Sequence, residues 1–239
     1  MVQSDNVNDK PLDLHVRTTM DGSFSSITAM ALRLGDTLIE VDPYSVHHNG
    51  ETIKWEELPL QTEAFYVTRA YHINRPKRQA GEPQPIKRYM DIVLNDKSTI
   101  HVSRTMLENS LDLISITIDG SATDFDGSRG LLGDYRTGDA LGRDGRKMNG
   151  EWNAYGMEWQ VLDTEPKLFK DKDRAPQLPD AQCKMPEFVM DSEMVLSLAK
   201  KHPQLYMKAM IACARAAESL NDCMEDVMLA KDVKAAETY

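Results

Sequence analysis

The stretch GLLGDYRTGDALGRDG, residues 130–145, followed by NAYGMEWQV, residues 153–161, decides how this chain is read. It is dense in glycine and aspartate and places carboxylates five residues apart at Asp134, Asp139 and Asp144. Glycine enters left-handed turns without steric cost, and aspartate tolerates them while offering oxygen ligands. The segment therefore predicts a coiled loop. Three ionised carboxylates near one point repel by roughly 3 kcal/mol per pair at about 5 Å and an effective dielectric near 20. Calcium accepts oxygen ligands in irregular geometry and turns that repulsion into attraction. Asp134, Asp139 and Asp144 are thus the candidate metal ligands, and calcium is the one cofactor expected. The alternative is a solvated loop, or one in which Arg136 supplies the counter-charge. An EF-hand is excluded, because positions 136 and 138 carry Arg and Gly and the bidentate Glu is missing.

Outward from the loop, the upstream sequence alternates in the manner of strands. Leu12, Leu14 and Val16 interleave with Asp13, His15 and Arg17, the period of two expected of a half-buried strand. Strands are predicted at Ile27 to Leu34, Thr37 to Val41, Phe65 to Ile73, Tyr89 to Leu94, Thr99 to Val102 and Leu111 to Ile118. Turns are predicted at Asp21-Gly22-Ser23, Gly35-Asp36, Asn49-Gly50 and Asn95 to Ser98. A last strand is expected around Trp152 to Leu162. Arg75 to Gln84 reads as an exposed basic loop. Short strands with closely spaced turns indicate a mainly β chain, an antiparallel β-sandwich over residues 1–163.

Beyond residue 163 the character changes. Residues 164–189 hold Pro166, Pro176, Pro179 and Pro186 and a charged run at 170–174, predicting a linker or a strap across the sandwich. Residues 190–239 read as a small helical subdomain. Asp191 or Ser192 can cap its first helix, Pro203 opens the second, and Asn221 or Asp222 begins the third. Tyr206, Met207, Met210, Ile211 and Ala214 form an apolar stripe at helical spacing, expected to pack inward. The many methionines of this tail read as core material, with a sticky partner surface as the alternative. Cys213 and Cys223 are close in sequence on these helices and are expected to pair. The alternative is three reduced thiols, Cys183 included.

The 239 residues carry a formal charge of −10. That disfavours nucleic acid, whose phosphates need clustered Lys and Arg. No apolar run reaches the length of a membrane span. Met1 to Lys10 is polar and lacks the apolar centre of a secretory signal.

The 130–161 stretch resembles the von Willebrand factor type D domain. The matching residues are Gly130 to Asp134, Asp139-Ala140-Leu141, Asp144-Gly145 and Gly156 to Trp159, with Leu14 to Thr18 and Ala29 to Gly35 upstream. Ala212-Cys213-Ala214, Cys223 to Val227, Asp232 and Ala235 are similar to the cysteine-bearing helical tail that follows some of these domains. The resemblance implies a calcium-bearing loop and a structural Trp159. It departs from the family where Asp134 stands for Asn, Arg136 for a ligand, Ala140 for an acid and Leu132 for a frequent cysteine. The aromatic strand pair that usually comes before the Leu12 strand is not recognisable. The comparison favours a fragment or a processed chain.

The remaining candidates carry less. Asp119, Asp124 and Asp126 read as solvated turn acids. His47 and His48 point to opposite faces of a strand and cannot readily share a metal. Trp55, Trp152 and Trp159 are expected in packing roles. Ser110 and Ser128 lack a nucleophile-elbow context, and Cys213 lies in an apolar pattern. The expectation is a non-enzymatic structural or adhesion module, secreted or at the cell surface, in contact with protein partners. The alternatives are a self-assembling matrix unit or a non-catalytic domain of a larger secreted enzyme.

Overall fold

The computed structural model of the protein describes residues 1–21, 24–70, 88–105, 113–170, 192–216 and 219–239. The chain begins with six strands: β1 (Val2–Val7), β2 (Lys10–Asp21), β3 (Phe24–Leu34), β4 (Thr37–Val41), β5 (Ser45–His48) and β6 (Glu51–Lys54). A single 3-10 turn at Trp55–Glu57 leads to β7 (Leu60–Gln61), β8 (Tyr66–Ala70), β9 (Arg88–Val93), β10 (Thr99–Thr105) and β11 (Leu113–Asp119). Then come the one-turn helix α1 (Ala122–Phe125), β12 (Arg129–Gly130) and α2 (Trp152–Glu158). Three helices follow, α3 (Ser192–Lys201), α4 (Pro203–Cys213) and α5 (Leu220–Ala230), with a closing 3-10 segment at Val233–Thr238.

The strands form two antiparallel sheets. One has seven strands in the order β12-β1-β2-β3-β4-β5-β6, and the other has five in the order β11-β10-β9-β8-β7. Their inner faces meet in one core. Leu12, Leu14, Met30, Leu32, Ile39, Val41 and Val46 come from the first sheet, and Val67, Met90, Ile92, Ile100, Val102 and Ile114 from the second. In β10 the alternation is plain: Ile100 and Val102 are buried while Thr99, His101 and Ser103 stand outward. Each fully buried aliphatic side chain here contributes about 1.5–3 kcal/mol of transfer free energy. The expected antiparallel sandwich with a helical C-terminal subdomain is the observed fold.

Turn chemistry sets the register. Asn49 and Gly50 both have positive φ, +51° and +92°, and close the β5–β6 hairpin. Asn8 and Asp9 do the same between β1 and β2, with φ of +54° and +58°. That hairpin places one strand, β1, ahead of the Leu12 strand; it carries no aromatic residue. Val2 and Val7 face the core, and Ser4 is buried because its hydroxyl donates to the Asp124 carbonyl. β1 lies between β2 and β12, with Val2 opposite both Leu14 and Gly130.

The last predicted strand is a helix. Residues 152–158 coil because Tyr155 and Trp159, one turn apart, are the buried pair, while Trp152 is 66% exposed. Trp152 therefore does not take the packing role expected of it, whereas Trp55 and Trp159 are buried.

The C-terminal helices pack on Leu113 of β11 through Ala209, Cys213, Cys223, Val227 and Met228. Cys213 and Cys223 form a disulfide inside this cluster. The expected stripe on α4 is split: Tyr206 packs against the cluster, whereas Met207, Met210 and Ile211 are exposed and Ala209 and Cys213 face inward. α5 and the closing 3-10 segment pack on the inner side of α4, where Ala209 and Cys213 meet Met224, Val227, Met228 and Ala235 in one cluster.

The expected basic loop at 75–84, Ser110, Cys183, the strap beyond residue 170, and Gly22-Ser23 of the first turn lie outside the described residues. Among the described residues, no helix is long and apolar enough to cross a membrane.

Candidate functional site: the aspartate-glycine loop and its strap

The loop starts where β12 ends. Gly130 has φ +122°, and a Cβ there would lie 2.1 Å from the Met1 carbonyl oxygen. Gly133 has φ +75°, and a Cβ would lie 2.5 Å from the Asp139 carbonyl oxygen. At both positions the backbone passes too close for a side chain. Asp134 N donates to the Asp139 carbonyl at 2.9 Å, and Met148 N to the Ala140 carbonyl at 2.7 Å. The segment is thus two tight turns stacked in sequence.

Each predicted carboxylate closes its own turn. Asp134 accepts from Thr137 N at 2.7 Å and from Thr137 Oγ1 at 2.9 Å. These bonds from Thr137 hold its pKa below the usual carboxylate value. Asp139 pairs with Lys147 Nζ at 2.7 Å and accepts from Asn149 Nδ2 at 3.0 Å. The Lys147 contact is the largest cause of its lowered pKa. Asp144 accepts from Arg146 N at 2.9 Å. Among the described residues, no three acid, His or Cys side chains stand together as a metal-holding group. Arg136 reaches away from the three and pairs with Asp126.

The underside of the loop is apolar. Met1, Ala140, Met148, Tyr155 and Trp159 form a separate buried cluster. Trp159 Nε1 donates to the Leu141 carbonyl at 2.9 Å, and the Tyr155 hydroxyl to the Gly130 carbonyl. The start of the chain joins this cluster, where the Met1 ammonium donates to the Trp159 carbonyl at 3.3 Å.

Arg143 fastens the loop to the strap. Its guanidinium donates to both oxygens of Glu165, at 2.5 and 3.1 Å, and to the carbonyls of Glu158 and Gln160 at 2.7 and 2.8 Å. The Glu165 bond raises the Arg143 pKa, and Arg143 lowers that of Glu165. From there residues 166–170 cross the outer face of the seven-stranded sheet. Leu168 packs on Ala31 and Leu38, Phe169 lies under the Arg17 guanidinium at 4.2 Å, and Lys170 N donates to Glu40 Oε2 at 3.3 Å.

The outer face of this sheet also holds buried polar residues, and the strap meets one of them, Glu40. Asp13, His15, Glu40 and His47 all lie on the outer sheet face and are buried. Asp13 pairs with Arg33 and accepts from Gln3 Nε2 at 2.7 Å. Burial, then the positive chain terminus, pushes the His15 pKa down to about 4. The proline-rich, charged run beyond residue 163 was read as a linker or strap, and within it the apolar pair Leu168-Phe169 makes the contact.

His47 belongs to a second polar set. Its Nε2 is 2.8 Å from Ser45 Oγ, its Nδ1 is 2.9 Å from Thr52 Oγ1, and Ser45 Oγ donates to Asp42 Oδ2 at 2.8 Å. In an acyl-transfer triad the carboxylate orients the imidazole at Nδ1. Here it holds the serine, so the set ties β5 to β6 and to the preceding turn. Asp124 is likewise not a solvated turn acid. It is buried and accepts from Ser98 Oγ at 2.5 Å and Asn95 Nδ2 at 2.8 Å. Burial pushes its pKa up, but the bonds from Ser98, Asn95 and Ser121 outweigh that and hold it below the usual value.

Compared with known proteins, the chain matches no family model and no curated sequence.

Proposed function

We propose that this chain is a non-enzymatic module similar to the von Willebrand factor type D domain, part of a secreted or cell-surface protein, and that it mediates protein–protein contact. The single observation that supports the reading best is the loop at 130–150, wrapped over Trp159 in the order of segments that the resemblance implies. The mainly β sandwich agrees with it. The buried Cys213–Cys223 disulfide agrees with an oxidising compartment.

Calcium would bind at Asp134, Asp139 and Asp144 by opening the Lys147 and Thr137 contacts that those side chains now make. The test is the melting temperature with calcium against a chelator. A rise of several degrees with calcium, lost in the Asp139→Asn variant, is the expected result. An identical melting curve in both conditions removes the metal from the proposal. The compartment is tested on protein isolated from its natural source under thiol-blocking alkylation. Cys213 and Cys223 should resist the label, and labelled thiols at both would overturn the secreted assignment.

A further inference from the structure

We infer that the outward face of α3 and α4 is a docking surface for an anionic lipid interface. Four apolar side chains stand out there: Leu196 at 55% exposure, Met207 at 66%, Met210 at 46% and Ile211 at 76%. α4 is therefore apolar on both sides, since Ala209 and Cys213 on its inner side are buried. A helix that is apolar all round is normally covered on all sides. The inner side is covered by the disulfide-linked α5 and the closing 3-10 segment. The outer side is open to solvent.

Charge identifies the occupant. Between residues 192 and 216 lie Lys200, Lys201, Lys208 and Arg215 against the single carboxylate Glu193, in a chain whose formal charge is −10. All four cations are exposed, and among the described residues none is in a salt bridge. Lys208 lies one turn before Ile211 on α4, and Arg215 stands just past the end of that helix. Lys200 and Lys201 stand at the exposed corner that leads into Pro203. Protruding aliphatic and thioether side chains rimmed by Lys and Arg match the boundary between acyl chains and acidic headgroups. A second copy of the chain fits poorly, because face-to-face contact would press two cationic rims together. Protein hot spots favour aromatic and Arg anchors seated in pockets, and Tyr206, the one aromatic of α4, is partly buried.

The inference does not rest on the calcium loop. It is tested by co-sedimentation in chelator with vesicles of about 30 mol% phosphatidylserine in phosphatidylcholine, against phosphatidylcholine alone. The protein should sediment with the first and bind at least about tenfold more weakly to the second. Met207→Ser with Ile211→Ser, and separately Lys208→Glu with Arg215→Glu, should each weaken binding by about tenfold or more. The side chains are exposed, so circular dichroism and melting should stay unchanged in both. Trp152→Ser, exposed on α2, should bind as the parent does. Absence of sedimentation with the acidic vesicles, or binding that ignores both double variants, overturns the inference. Self-association without lipid that Met207→Ser with Ile211→Ser abolishes also overturns it and assigns the face to a protein.

Discussion

Arg143 lies over the ring of Trp159, its guanidinium carbon 5.0 Å from the ring centroid, while the same group grips both oxygens of Glu165. One side chain thus joins the aspartate-glycine loop, the end of α2 and the strap.

Replacing that group should loosen all three. Arg143→Met should cost about 1–3 kcal/mol in urea denaturation, the range for hydrogen bonds to charged groups. Arg143→Lys should recover little, because an ammonium cannot reproduce the planar fork that meets Glu165 and two carbonyls. Full recovery by lysine would mean that charge alone mattered.

Two glycines with similar backbone angles should respond differently. At Gly138, φ is +71° and a Cβ would meet nothing within 4 Å. Gly138→Ala should therefore cost about 1–2 kcal/mol, the left-handed penalty alone. Gly133→Ala adds the 2.5 Å approach to the Asp139 carbonyl and should cost about 1–3 kcal/mol more. Equal melting temperatures for the two variants would contradict the described turn.

His15 sets a window in the acid response. Its folded pKa of about 4 is below the ordinary histidine value of 6.5. The unfolded chain therefore takes up a proton first as pH falls. The stability that His15 contributes is full above pH 6.5 and is lost as pH drops toward 4. Glu165, Asp134, Asp139 and Asp124, whose pKa values are depressed, lose their contributions only at lower pH. In His15→Gln the slope of unfolding free energy between pH 6.5 and 4.5 should flatten. An unchanged slope would place the titrating group elsewhere.

The disulfide closes a loop of sequence separation 10 and should contribute about 2–3 kcal/mol. Cys213→Ser with Cys223→Ser should lower the melting of the helical subdomain by that amount in calorimetry. The sandwich transition should move less, because Leu113 is the one sheet residue among the buried members of that cluster.

Much of the sandwich was legible because its signals are local. Asn49-Gly50 and Asn95 to Ser98 each specify a hairpin, and Leu12 to Val16 alternate with the pleat. The pairing of Cys213 with Cys223 followed from nearness in sequence. What escaped reading depends on distant partners. Ser4 looks like a surface residue until the Asp124 carbonyl meets its hydroxyl. Trp152 to Glu158 carries strand-prone aromatics, yet the loop above offers a pocket to Tyr155 and Trp159 that only helical spacing fills. Glu40 sits on the outward phase of its strand, and Lys170 of the strap, 130 residues later, meets its carboxylate. The α4 stripe was found, but its period could not say which side the disulfide would turn inward.

The placement of β1 between β2 and β12 has a bearing on how the molecule is made. The Met1 backbone nitrogen meets the Trp159 carbonyl across 158 positions of chain. At about 5–20 residues per second on the ribosome, roughly 6–26 s separate the emergence of Val2 from that of its strand partner Gly130. Through that interval the first hairpin carries an unclaimed edge, a period of exposure to chaperones or to neighbouring nascent chains that closes only when Arg129 and Gly130 arrive.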